Sequence, residues 1–142
     1  SMKNYVFKTT NLKRYEFPTH INDIVMDRSE ADTSEAFMVV LKPGQAPPLH
    51  VHGDTEQLFY VLEGEGVLTI KEDGEEKTFA VHVGDLVRIP ISVYHSIKSE
   101  GGMRYLAIDC FVDKHFEDEP TWDAHVRVLC KEQSWDYAQV VK

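Results

Sequence analysis

Short apolar runs recur at close spacing along the chain: Asp23–Asp27, Ala36–Leu41, Leu58–Leu62, Val67–Lys71, Lys77–Val81, Asp85–Ile89 and Met103–Phe111. They are rich in Val, Ile, Phe and Tyr, and turn residues separate them, a pattern that predicts strands. Lys71-Glu72-Asp73-Gly74 lies between two of the runs, and Asp-Gly accepts the positive φ angles of a tight hairpin. Pro43-Gly44, Gly64-Glu65-Gly66, Gly84-Asp85 and Gly101-Gly102 supply further breaks. Strands this dense, without helices between them, predict an all-β antiparallel sandwich or barrel. Only the tail changes period. From Thr121 to Lys131 the residues Trp122, His125, Val126 and Leu129 recur at three- and four-residue steps behind Pro120, which predicts one C-terminal helix packed on the barrel. His125 then falls on the apolar helix face, as a core histidine. No linker or internal repeat interrupts residues 1–142, so one domain is expected.

Composition narrows the classes of function. The 142 residues carry a net charge of -9, which argues against nucleic acid, because phosphates are bound by Lys and Arg. No apolar run approaches the ~18 residues of a membrane span. Ser1 ahead of Met2 reads as a remnant of tag removal, and the N-terminal residues lack the apolar centre of a signal peptide, so a cytoplasmic protein is expected. Cys110 and Cys130 are too few for a disulfide framework and have no metal-type spacing, so both are expected as buried thiols.

The chemistry concentrates in two stretches. In Gly44-Gln45-Ala46-Pro47-Pro48-Leu49-His50-Val51-His52, the two histidines stand two residues apart. On a strand they project to the same face and can grip one ion. Glu56-Gln57-Leu58-Phe59-Tyr60-Val61-Leu62-Glu63-Gly64 follows, and farther on comes Gly84-Asp85-Leu86-Val87-Arg88-Ile89-Pro90-Ile91-Ser92-Val93-Tyr94-His95.

These stretches resemble the two conserved motifs of the cupin superfamily. The first runs Gly, five residues, His-x-His, three or four residues, Glu, six residues, Gly. The second runs Gly, five residues, Pro-x-Gly, two residues, His, three residues, Asn. Gly44, His50, His52, Gly64, Gly84, Pro90 and His95 fall on their positions, with motifs over residues 44–64 and 84–99. The resemblance implies a double-stranded β-helix, or jelly-roll, barrel holding one divalent metal ion, with His50, His52, Gln57 and His95 as ligands. The count back from Gly64 gives Gln57 at the carboxylate position, whereas the count on from His52 gives Glu56, and parity along this apolar strand does not choose between them. Ser92 stands for the turn glycine and Ser99 for the final Asn. Three imidazoles and an amide would leave the ion's charge uncompensated and its Lewis acidity high. Nitrogen-rich ligation suits Zn, Ni, Fe, Mn, Co or Cu.

Met103–Phe111 places Tyr105, Ala107, Asp109 and Phe111 on one face. An aspartate there is paired, protonated or facing a polar cavity. Asp109-Cys110-Phe111 is similar to a segment of pectin-degradation cupins of the KdgF type, which ketonise unsaturated uronates. That similarity implies Asp109 as the acid–base residue and Phe111 as a pocket wall, with Phe59 and Tyr105 beside it. His115 stands where those proteins carry an arginine. The functions this leaves open are a Lewis-acid isomerase or ketonising enzyme on a small, oxygenated or anionic, sugar-derived substrate, a metal-dependent dioxygenase, and a non-catalytic ligand-binding barrel. Small cupins commonly pair through N-terminal strands, so a homodimer with Tyr5–Phe7 exchanged is expected by analogy.

Overall fold

The computed structural model describes residues 4–113 and 118–142. Nine strands run in chain order as β1 (Lys13–Glu16), β2 (Ile21–Met26), β3 (Ser34–Leu41), β4 (Thr55–Gly64), β5 (Gly66–Glu72), β6 (Glu75–Val81), β7 (Leu86–Ile89), β8 (Tyr94–Lys98) and β9 (Met103–Phe111). Two helices follow, α1 (Trp122–Gln133) and the single turn α2 (Tyr137–Val140). Each apolar run of the sequence lies in a strand. β1 and β8 fall outside those runs: β1 is a polar edge strand, and β8 alternates buried His95 and Ile97 with outward Tyr94 and Lys98.

The strands form two antiparallel sheets, one in the order β1-β2-β3-β9-β4-β7 and the other β6-β5-β8. Their inner faces share one core, to which the larger sheet gives Phe37, Val39, Phe59, Val61, Tyr105 and Ala107 and the smaller gives Leu68, Val81 and Ile97. Burying each of the larger side chains is worth about 1.5–3 kcal/mol, which fixes the face every strand presents inward. The β5–β6 hairpin closes through Asp73 and Gly74, both at positive φ (52° and 76°), as the Asp-Gly pair predicts. Gly64 is also at positive φ (75°), where a Cβ would collide with the carbonyl of Gly102.

Register across the large sheet places inward side chains in rows. Glu35, Asp109 and Gln57 stand opposite one another on β3, β9 and β4. The next row is Phe37, Ala107 and Phe59, and the third is Asn22, Val39, Tyr105 and Val61. Directly opposed residues of an antiparallel pair have Cβ atoms ~4.5–5.5 Å apart, so each row is a line of touching side chains.

α1 begins where the sequence places it: Thr121 caps it by accepting a hydrogen bond from the Ala124 amide at 3.1 Å. Its Trp122, Val126 and Cys130 are buried in the core, and the tail continues into α2 beyond the one helix expected. Among the described residues, Tyr5–Phe7 pairs with no strand, and Tyr5 is 83% exposed. Among the described residues, no helix is long and apolar enough to cross a membrane.

Candidate metal centre

Pro47 and Pro48 withhold two backbone donors, so the segment carrying His50 joins the small sheet through a single bridge and not as a regular strand. That bridge is double: the His50 amide donates to the His95 carbonyl at 3.1 Å and the His95 amide to the His50 carbonyl at 2.9 Å. Paired this way, both side chains leave on one face. His52 is held in turn by the Ser92 amide, which donates to its carbonyl at 2.8 Å. The imidazole centroids lie 5.0 Å (His50–His52), 4.3 Å (His50–His95) and 5.7 Å (His52–His95) apart. One ring nitrogen from each falls within 4.8 Å of the others, a spacing at which a single ion can be shared.

Hydrogen bonding fixes the ring orientations. Nδ1 of His50 lies 2.7 Å from the Pro48 carbonyl and Nδ1 of His95 lies 2.9 Å from that of Val93. Carbonyls only accept, so the proton sits on Nδ1 and the Nε2 lone pair is left for a ligand or ion. Burial pushes His52 and His95 down to about 4, and His50 is lowered too, so all three imidazoles are neutral at pH 7. His52 Nε2, His95 Nε2 and Gln57 Oε1 are buried and find no hydrogen-bond partner. Unpartnered buried acceptors are costly unless something fills them, and imidazole nitrogens with an amide oxygen are a donor set that suits a divalent transition ion.

Glu56 and Gln57 part company on β4. The odd positions Thr55, Gln57, Phe59 and Val61 are buried, while Glu56 turns outward and pairs with Arg88 at 3.2 Å. The Gln57 Nε2 donates to Asp109 Oδ1 at 2.8 Å. Asp109 in turn hydrogen-bonds Glu35, whose carboxylate takes the Arg28 guanidinium in a fork at 2.8 and 3.1 Å. Burial and the neighbouring Asp109 push Glu35 up to about 9 against the pull of Arg28, and burial raises Asp109 as well. Burial thus favours the protonated form of both carboxyls, and the Arg28 guanidinium opposes it as their counter-charge.

The histidines open on a cavity of about 300 Å³ between the two sheets and α1. Its walls include Phe59 and Tyr105, with Asp109 and Gln57 at one side. Phe111 is not among the lining residues: its ring lies 5.2 Å beneath the Arg28 guanidinium. His115 lies outside the described residues. The cavity also takes in His20, and His125, which the helical period alone places in the core. His125 is half-buried, with Nδ1 3.0 Å from Glu119 and its ring edge-on to Trp122 at 5.5 Å. The helix closes the barrel mouth, so the face read as core borders a cavity. Glu35, Arg28 and Asn22 carried no sequence signal, because their roles come from strand pairing.

A pattern for the Cupin domain matches residues 37–109, more than half of the chain, and the chain belongs to that family. Its sequence is 28% identical over 87 residues to oxalate decarboxylase OxdC of Bacillus subtilis (61% of this chain, 23% of that one). It is 32% identical over 97 residues to quercetin 2,3-dioxygenase of the same organism (68% and 28%) and 34% identical over 76 residues to acireductone dioxygenase of Leptospira biflexa (52% and 38%). The chain thus spans about a quarter of the first two relatives. In structure it is similar to a predicted oxalate decarboxylase from Thermotoga maritima, with a TM-score of 0.67 and 19% identity over 76% of this chain and all of that one. A variant of the B. subtilis oxalate decarboxylase superposes with a TM-score of 0.70 and 22% identity over 98% of this chain and 39% of that one. At these identities the likeness establishes the double-stranded barrel.

Proposed function

We propose that this cupin is an enzyme that holds one divalent ion through His50, His52, His95 and the Gln57 amide oxygen and acts on a small oxygenated molecule in the cavity. The observation that carries the reading is the clustering of ring nitrogens of His50, His52 and His95 within 4.8 Å of one another, with His52 Nε2, His95 Nε2 and Gln57 Oε1 buried and unpartnered in residues that line one cavity with Asp109. A bound ion would supply Lewis acidity to a substrate hydroxyl or carbonyl. Asp109, lining the cavity and backed by Glu35, gives and takes the proton, and Phe59 and Tyr105 exclude water around it. This division of labour suits isomerisation or ketonisation of a sugar-derived substrate. Zinc, nickel, iron, manganese, cobalt and copper are the candidate ions.

The test is metal content by mass spectrometry on protein purified without a nickel column. About one ion per chain, lost in His95→Ala, is the expected result, and no ion after adding metals back would overturn the reading. Asp109→Asn then removes turnover while the ion stays. A second reading, oxygenation, is favoured by the similarity to two dioxygenases. Oxygen uptake in step with substrate loss selects it, and turnover under argon selects isomerisation.

A further inference from the structure

Two polar atoms in the cavity remain without partners once the metal reading has used its own. Asn22 Oδ1 and Trp122 Nε1 are buried and unbonded, in side chains that are 4% and 5% exposed. Both residues line the cavity. Leaving such a group unsatisfied costs about 1–3 kcal/mol, so two of them in one cavity mark a place where a ligand supplies the bonds. Neither is explained by the ion: an indole N–H only donates and cannot ligate. Asn22 stands in the Val39–Tyr105–Val61 row, two rows from Gln57 and Asp109, which is roughly 13 Å measured along the strand. The intervening row has only Ala107 between Phe37 and Phe59, so an apolar trough joins the two ends. Trp122 flanks it, its ring 4.6 Å from that of Phe37.

We infer that Asn22 and Trp122 form a second recognition subsite, which binds the hydroxyl groups of an uncharged cyclic substrate whose other end faces the histidines. Asn22 Oδ1 takes a hydroxyl proton, Trp122 Nε1 donates to a hydroxyl or ether oxygen, and Phe37, Phe59 and Trp122 cover the ring. The charge of the ligand follows from the walls. Among the described residues that line the cavity there is no lysine or arginine, so a carboxylate at this end finds no fixed positive side chain. Phenolic and sugar rings share this chemistry. The inference rests on the functional reading for which end of the substrate reacts, but the subsite can be tested apart from it.

The experiment is calorimetric titration of the metal-loaded full chain with catechol, D-xylose and oxalate, comparing wild type with Asn22→Leu and Trp122→Phe. Asn22→Leu keeps the branched shape and removes both amide atoms, and Trp122→Phe removes the indole N–H with part of the ring. The expected result is that a neutral probe binds, that each variant weakens it about tenfold, and that ion content stays as in wild type, although Trp122→Phe trims a core side chain and lowers the melting temperature. Preference for catechol assigns a phenolic ring, and preference for xylose a sugar. The inference is overturned if neither neutral probe binds wild type, if the variants bind the neutral probes as wild type does, or if the variants weaken oxalate, which the ion alone can hold, as much as they weaken the neutral probes. Should the protein hold no ion, the functional reading fails, yet quenching of tryptophan fluorescence by catechol in the metal-free chain still reads the subsite. In that case loss of quenching affinity in Asn22→Leu supports it and an unchanged affinity rejects it.

Discussion

Gln57 and Asp109 face each other across β4 and β9, and the 2.8 Å bond from Gln57 Nε2 to Asp109 Oδ1 leaves the amide oxygen buried and without a partner. The same bond explains an amide where the related motif has a carboxylate. A glutamate at this position would set two carboxylates against one another in a buried row that already contains Glu35.

Gln57→Glu is therefore expected to destabilise the metal-free protein by about 1–3 kcal/mol, the cost of a lost buried hydrogen bond with a like charge in its place. Adding Asp109→Asn reverses the polarity of the pair, since an asparagine can donate to the new carboxylate, and is expected to recover most of the loss. Urea unfolding of the two single variants and the double variant gives the coupling. Strictly additive effects would show that the two side chains do not act as a unit.

Arg28 neutralises the buried acid pair from beneath, through its fork to Glu35. Arg28→Met leaves that pair without its counter-charge and is expected to cost about 3–5 kcal/mol. Arg28→Met/Glu35→Gln, which removes charge from both sides, is expected to be the more stable of the two. Thermal unfolding of both variants checks this order, and the reverse order would mean that Glu35 is held by something other than Arg28.

Stability of the metal-free protein is expected to fall as the pH is lowered below neutrality. Burial holds His52 and His95 near 4 and His20 near 3 in the folded chain, below the ordinary histidine value of ~6.5. Between pH 6.5 and 4 these three rings bind more protons in the unfolded chain than in the folded one, which outweighs the opposite contribution of the two raised carboxyls, Glu35 and Asp109, so acid favours unfolding. The stabilisation is complete above pH 6.5 and is lost as the pH drops toward 4. A melting temperature that stays flat or rises over this window would contradict the burial of these rings.

Ser92 occupies the left-handed region at φ 62°, at the position where the related motif has glycine. A non-glycine residue there costs of order 1 kcal/mol, partly offset by the greater freedom of glycine in the unfolded chain. Ser92→Gly is expected to stabilise the protein by about 0.5–1 kcal/mol with unchanged ion content, read by denaturant midpoint. A loss of stability would mean that the serine side chain contributes a bond of its own.

The strands and turns were legible because local chemistry dictates them. β-branched and aromatic runs, Asp73-Gly74 in a two-residue hairpin and Thr121 ahead of a helical stripe each act within a few residues. The three histidines were legible through the resemblance to the two cupin motifs, since His50 and His52 lie on a bridge segment and not on the strand their spacing suggests. The face that Glu56 and Gln57 each take was not, since Phe59 and Val61 are as apolar as Leu58 and Leu62 and only the sheet decides which face turns inward. Glu35 lies 74 residues from Asp109 in sequence and meets it only because β3 pairs with β9 in that register. His20, Asn22, Trp122 and His125 become cavity residues only when α1 closes the barrel mouth. The sequence by itself determined the elements and the metal-type histidines, because hydrophobic period and turn preference are local. The tertiary structure alone decided the polar row behind Gln57 and the far wall of the cavity, because these arise from pairing between strands and a helix distant along the chain.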